Sequence, residues 1–82
     1  MSKTFHLTVA RLGENLFDGE AVSATLPGTE GVFQVLPHHE AMISELKEGE
    51  IEIKSEDNQT QRVTLSKGGI AEVSHNQATI LL

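Results

Sequence analysis

Apolar and polar residues alternate with a period of two through most of this chain, and that period restricts it to extended strands. In Thr4-Phe5-His6-Leu7-Thr8-Val9, the residues Phe5, Leu7 and Val9 share one face, while Thr4, His6 and Thr8 share the other. Successive side chains of a strand point to opposite faces, so this run reads as a strand half buried against a core. The alternation returns in Glu20 to Leu26, with Val22, Ala24 and Leu26 inward, and in Glu50-Ile51-Glu52-Ile53-Lys54, where two isoleucines alternate with charges. Arg62-Val63-Thr64-Leu65 and Gln77 to Leu82 complete the series. Turn chemistry separates these runs at intervals of about 8–12 residues, the spacing of a sandwich or barrel. Asp18-Gly19, Pro27-Gly28, Glu56-Asp57-Asn58 and His75-Asn76 read as turns, and Gly68-Gly69 as a bulge or a close backbone approach. Glu40 to Leu46 carries Met42 and Leu46 at helical spacing, but it lies between Pro37 and Gly49, too short for a stable helix, and reads as a strand. The expectation is a single domain, residues 1–82, folded as an all-β antiparallel β-sandwich of eight to ten short strands.

Composition removes other classes. A chain of 82 residues without cysteine has neither disulfides nor a Cys-based zinc site to staple it, so it relies on a regular two-layer core, self-association or a permanent partner. With 12 acidic residues against 6 basic ones the net charge is −6, and Lys3, Arg11, Lys47, Lys54, Arg62 and Lys67 are scattered. Such a chain has no electrostatic reason to bind phosphate backbones or anionic lipid. Three Phe, with no Tyr or Trp, supply no stacking platform for single strands, so no nucleic-acid partner is expected. No apolar run approaches the ~20 residues of a membrane-spanning helix, and Met1-Ser2-Lys3-Thr4-Phe5-His6 opens directly into alternating sequence, so the chain is expected to stay where it is made, with no direct lipid insertion.

No motif carries catalysis. His38-His39-Glu40 is the sharpest candidate for metal, but adjacent side chains of an extended segment point apart and cannot easily chelate one ion. Ser66, His39 and Asp57 make a triad only on paper, without the Gly-x-Ser-x-Gly turn. Glu50/Glu52 and Glu56/Asp57 read as solvated strand faces and turns, and Gly28-Thr29-Glu30-Gly31 lacks the Lys and the helix of a phosphate loop. His6 reads as an ordinary surface residue. The expectation is no catalytic residue, no metal and no cofactor. A small-ligand or carbohydrate-binding sandwich is the alternative, disfavoured because sugars stack on Trp or Tyr.

The stretch Leu26-Pro27-Gly28-Thr29-Glu30-Gly31-Val32-Phe33-Gln34-Val35-Leu36-Pro37-His38-His39, followed by Leu46-Lys47-Glu48-Gly49-Glu50-Ile51, resembles the N-terminal β-sandwich of the epsilon subunit of F-type ATP synthases. Phe5-His6-Leu7-Thr8-Val9, Leu16-Phe17-Asp18-Gly19 and Gly68-Gly69-Ile70-Ala71-Glu72-Val73 extend the likeness over essentially the whole chain. The chain departs from the family at Pro37-His38-His39, where Pro-Gly-His is usual, and at Glu40-Ala41, often Ala-Pro. It departs again at Val32, frequently acidic, and at Lys67, where a small residue is common. The resemblance implies a non-catalytic rotor subunit at the foot of the central stalk. It would pack against the gamma subunit and rest on the polar loops of the c-ring, peripheral to the cytoplasmic face of the bacterial inner membrane, coupling ion-driven rotation to ATP synthesis. It further implies that Thr29, Glu30, Gly31 and Val32, then Pro37, His38 and His39, lie at the c-ring and gamma contacts, with apolar residues such as Val32, Met42 or Ile43 supplying burial against gamma. Family members continue into two helices carrying an inhibitory arm. This sequence stops at Leu82, so that arm is not carried over, as in a short form or a truncated one.

Overall fold

The computed structural model describes residues 3–82; Met1 and Ser2, part of the N-terminal reading above, lie outside the described residues. Nine strands follow in order: β1 (Phe5–Arg11), β2 (Glu14–Ala21), β3 (Ser23–Gly28), β4 (Gly31–Val35), β5 (Met42–Leu46), β6 (Gly49–Lys54), β7 (Thr60–Leu65), β8 (Gly69–Ser74) and β9 (Gln77–Leu81). They are hydrogen-bonded in the order β2-β1-β9-β8-β5-β3-β6-β7, with β4 added to β3. β5 pairs with β8 along its length but meets β3 only at Leu46↔Gly28. That narrow joint divides the strands into two layers, β2-β1-β9-β8-β5 and β4-β3-β6-β7. Backbone bonds from Thr29 N–H to the Glu45 carbonyl (3.0 Å) and from Lys47 N–H to the Pro27 carbonyl (2.9 Å) reinforce it.

The alternation read from the sequence is the burial pattern. Phe5, Leu7 and Val9 of β1, Ala24 and Leu26 of β3, Ile51 and Ile53 of β6, and Ala78 and Ile80 of β9 are all at most 2% exposed and form one cluster. Burying each of the larger side chains contributes about 1.5–3 kcal/mol. Glu40 to Leu46 contributes a strand, as expected, with Leu46 buried. Val22, read as an inward strand residue, instead sits half buried at the bend between β2 and β3.

The all-β sandwich stands as read, its nine strands within the expected eight to ten, and three further details differ. The sandwich is not wholly antiparallel: β1 and β9 run parallel, from His6↔Gln77 to Ala10↔Leu81, because the β8–β9 hairpin returns the chain beside β1 in the same direction. Asp18-Gly19 lies within β2, opposite Thr8 and Leu7. The turn falls on Leu12-Gly13, where Gly13 has φ +78°. Pro27-Gly28 ends β3, and the turn falls on Thr29-Glu30. Gly28 is needed for space: a Cβ there would lie 2.7 Å from the Gly31 carbonyl oxygen and 2.9 Å from the Phe33 ring. His75-Asn76 is a turn as read, both residues having positive φ (52° and 58°), and Glu56-Asp57-Asn58 is the β6–β7 turn. Gly68-Gly69 is a double close approach: a Cβ at Gly68 would meet the Leu46 carbonyl oxygen, and one at Gly69 the Leu81 carbonyl oxygen.

Candidate functional site

The seven residues singled out by resemblance occupy the two ends of β4. Thr29 and Glu30 form the two-residue turn of the β3–β4 hairpin, and Gly31 and Val32 open β4 opposite Gly28 and Pro27. Glu30 and Gly31 are exposed and Val32 is 70% exposed. Pro37, His38 and His39 belong to the β4–β5 connection beyond Val35. The stretch of β4 from Val32 to Val35 spans roughly 10 Å, so the two groups lie toward opposite ends of the strand and are not merged.

The second group is held from the β8–β9 turn. The Asn76 side chain accepts the His38 N–H (2.7 Å) and donates to the Thr4 carbonyl (3.0 Å), so one amide fastens the connection to the start of the chain. His38 has φ 63°, a left-handed conformation, at the position where the resemblance expects glycine. That conformation is one a glycine adopts freely and a residue with a Cβ, such as His38, tolerates less well. The His39 N–H closes a turn on the Leu36 carbonyl at 3.1 Å, and the His39 ring nitrogen Nδ1 lies 2.8 Å from the Glu40 carbonyl. Among the described residues no group of three His, Cys, Asp or Glu could hold a metal ion. Ser66 and Asp57 fall at opposite ends of β7, and the Asp57 carboxylate accepts the Gln59 N–H (3.1 Å), so the triad drawn on paper is not assembled.

Beside the hairpin turn runs a groove of about 580 Å³, lined by Thr29, Glu30 and Val32 on one side and Met42, Ile43 and Glu45 on the other. Ile43 is 73% exposed. Val32 and Ile43 therefore present apolar surface at the groove, whereas Met42 is half buried and packs against the core.

One cluster was missed in the sequence. His6 lies on the outer face of β1, where its Nε2 is 2.7 Å from Asp18 and its Nδ1 3.1 Å from Glu20. Thr4 donates its hydroxyl to Glu20 (2.8 Å) and Thr8 to Asp18 (3.3 Å). Only the β1–β2 register, His6↔Glu20 and Thr8↔Asp18, brings these residues together, and neither strand alone signals it. The hydrogen bond to Asp18, then that to Glu20, raises the imidazole above its ordinary value of 6.5. The Thr4 hydroxyl and then His6 lower Glu20 below 4.5. A raised histidine stabilises the fold fully below pH 6.5 and loses that contribution as pH rises through the folded value. The Glu20 contribution is present above 4.5 and lost as pH falls through its folded value. The stability advantage of the natural chain over His6→Gln, from urea midpoints, is expected to be larger near about pH 6 than near about pH 8.5, and to shrink with added salt. An equal advantage at both pH values would mean that His6 gains no charge-dependent stability from Asp18 and Glu20.

These features define a β-sandwich whose exposed chemistry lies on hairpin turns and a strand edge rather than in an enclosed site. The chain matches the model of the ATP synthase, Delta/Epsilon chain, beta-sandwich domain over residues 4–82, and it belongs to that family. The ATP synthase epsilon chain of a Nitratiruptor species is 43% identical over 67 residues, 82% of this chain and 51% of that one. The epsilon chain of Protochlamydia amoebophila is 36% identical over 77 residues, 94% of this chain and 52% of that one. The chain thus spans about half the length of these curated relatives. A chain of the Euglena gracilis mitochondrial ATP synthase (OSCP/F1/c-ring) shares the fold, with a TM-score of 0.91 and 24% identity over 99% of this chain and 51% of that chain.

Proposed function

We propose that this chain is the β-sandwich part of a non-catalytic central-stalk subunit of an F-type ATP synthase, linking the gamma subunit to the c-ring and coupling ion-driven rotation to ATP synthesis. Family membership over residues 4–82 is the observation that carries this reading. The surface chemistry is compatible with it. Glu30 stands exposed at a hairpin tip, where it can meet a basic residue of a c-ring loop, a rim contact worth about 0.2–1 kcal/mol. Affinity then comes mainly from apolar burial, which Val32 and Ile43 can supply against gamma. Pro37, His38 and His39, held by Asn76, form the second contact. The complex sits peripherally at the cytoplasmic face of the bacterial inner membrane.

Immunocapture of the native protein from detergent-solubilised membranes tests the reading. It is expected to recover gamma and c-ring subunits, and recovery of no synthase subunit overturns it. In the assembled synthase, Glu30→Lys is expected to weaken the coupling of ATP hydrolysis to ion pumping while leaving the sandwich folded. Unchanged coupling takes Glu30 out of the contact.

A further inference from the structure

We propose that the free edge of β4 is a strand-addition site. An extended segment of another protein chain, apolar at alternate positions and basic toward one end, pairs there with the backbone of Val32 and Gln34. This needs only the free edge and does not depend on the rotor assignment.

Among the described residues three strands have a single partner each: β2 pairs with β1, β7 with β6, and β4 with β3. Natural sheets guard such edges with charges, bulges or bends, because an open edge templates pairing with another chain. β2 is guarded by Glu14, Asp18 and Glu20 and by a register break between Val9 and Ala10. β7 carries Arg62, paired with Glu52 at 3.1 Å. β4, Gly31-Val32-Phe33-Gln34-Val35, has no charged residue, no bulge and a 70% exposed valine.

The register fixes which backbone groups are open. The two-residue turn makes Gly28↔Gly31 a hydrogen-bonded pair, and bonded and non-bonded pairs alternate from there. Leu26↔Phe33 and Ala24↔Val35 exchange bonds, whereas Pro27↔Val32 and Thr25↔Gln34 do not. Pro27 agrees with this phase: it has no N–H, and its carbonyl faces away from β4 to accept the Lys47 N–H. The N–H and C=O of Val32 and Gln34 therefore point out of the sheet along the free edge.

The occupant follows from the charges. The groove beside this edge has Glu30 and Glu45 as its ionisable lining residues, both acidic, with Val32 and Ile43 as exposed apolar contacts. A second copy of this chain brings its own −6 charge and the same two glutamates, so a partner segment with Lys or Arg at one end fits better. Main-chain bonds then give affinity, and alternate side chains give specificity.

The test is amide hydrogen exchange, followed by NMR on the isotope-labelled chain titrated with a capped heptapeptide, Lys-Val-Thr-Val-Thr-Val-Thr. Exchange at Val32 and Gln34 is expected to slow at least about tenfold, while Phe33 and Val35, already bonded to β3, change little. Gln34→Pro removes one open donor at an edge position where proline is tolerated, and is expected to weaken binding about tenfold. Gln34→Ala keeps the N–H and binds within about twofold of the natural chain. No binding, slowing on β2 or β7 instead, or natural affinity in a folded Gln34→Pro chain each overturns the site. If Gln34→Pro does not fold, the exchange pattern of the natural chain decides. Slowing at Val32 and Gln34 without peptide, growing with protein concentration, assigns the edge to a second copy and overturns the partner segment.

Discussion

Gly68→Ala is expected to leave the chain unfolded, or destabilised by more than about 3 kcal/mol, in urea titrations followed by circular dichroism. Gly68 has φ +82°, a conformation that costs a residue with a Cβ about 1–2 kcal/mol. The added methyl would also run into the Leu46 carbonyl oxygen and lie 3.3 Å from the Lys47 Cα. Neither atom can yield easily, because Leu46 is the residue through which β5 holds both Gly28 of β3 and Gly69 of β8. A total near 0.05–0.15 kcal/mol per residue gives this domain about 4–12 kcal/mol, so the substitution consumes much of it. Gly13→Ala is the control: its φ is +78°, but nothing lies within 4 Å of the new Cβ. It is expected to cost only about 1 kcal/mol. If the two alanine variants are equally stable, the close approach to Leu46 is not what requires glycine.

Phe5→Ala carries the second large effect, a loss of about 3–5 kcal/mol. Phe5 is 1% exposed, the first residue of β1 and part of the single core cluster. Phe5 stands opposite Ala21 of β2, itself fully buried, so the cavity opens inside the core cluster. At about 4–8 °C per kcal/mol for a domain of this size, the melting temperature should fall by roughly 12–40 °C. Phe17→Ala, on the edge strand β2 and only half buried, is expected to lose less. A Phe5→Ala loss below about 1 kcal/mol would mean that the core closes over the vacated volume.

What was legible in the sequence was whatever a single strand records. Phe5, Leu7 and Val9 announce their burial by alternating with Thr and His, and Ile51 and Ile53 do so against charges. What was not legible depends on neighbours. Asp18-Gly19 has the composition of a turn, but Asp18 faces His6 and Thr8 across the β1–β2 ladder, and the turn fell to Leu12-Gly13 earlier in the chain. The parallel β1–β9 pairing joins segments about seventy positions apart in the chain, beyond the reach of any local period. The candidate contacts, Thr29 to Val32 and Pro37 to His39, came from the resemblance and not from any pattern in the strands. Their placement at opposite ends of β4 came only with the register, as did the open backbone of Val32 and Gln34.

The parallel ladder between β1 and β9 also governs the order in which the fold can be made. During synthesis the β1–β2 hairpin leaves the ribosome early, yet β1 has no second neighbour until residues 77–81 have emerged. Until then the backbone edge of β1 that β9 will occupy stays open, and Leu7 and Val9 lack Ala78 and Ile80, their neighbours within the same layer. Pairing so distant in sequence closes a long loop before any contact rewards it, which makes folding slow for a domain this small. β9 acts as a latch on this sandwich, whose apolar surface is most exposed to chaperones and to aggregation in the interval before β9 pairs with β1.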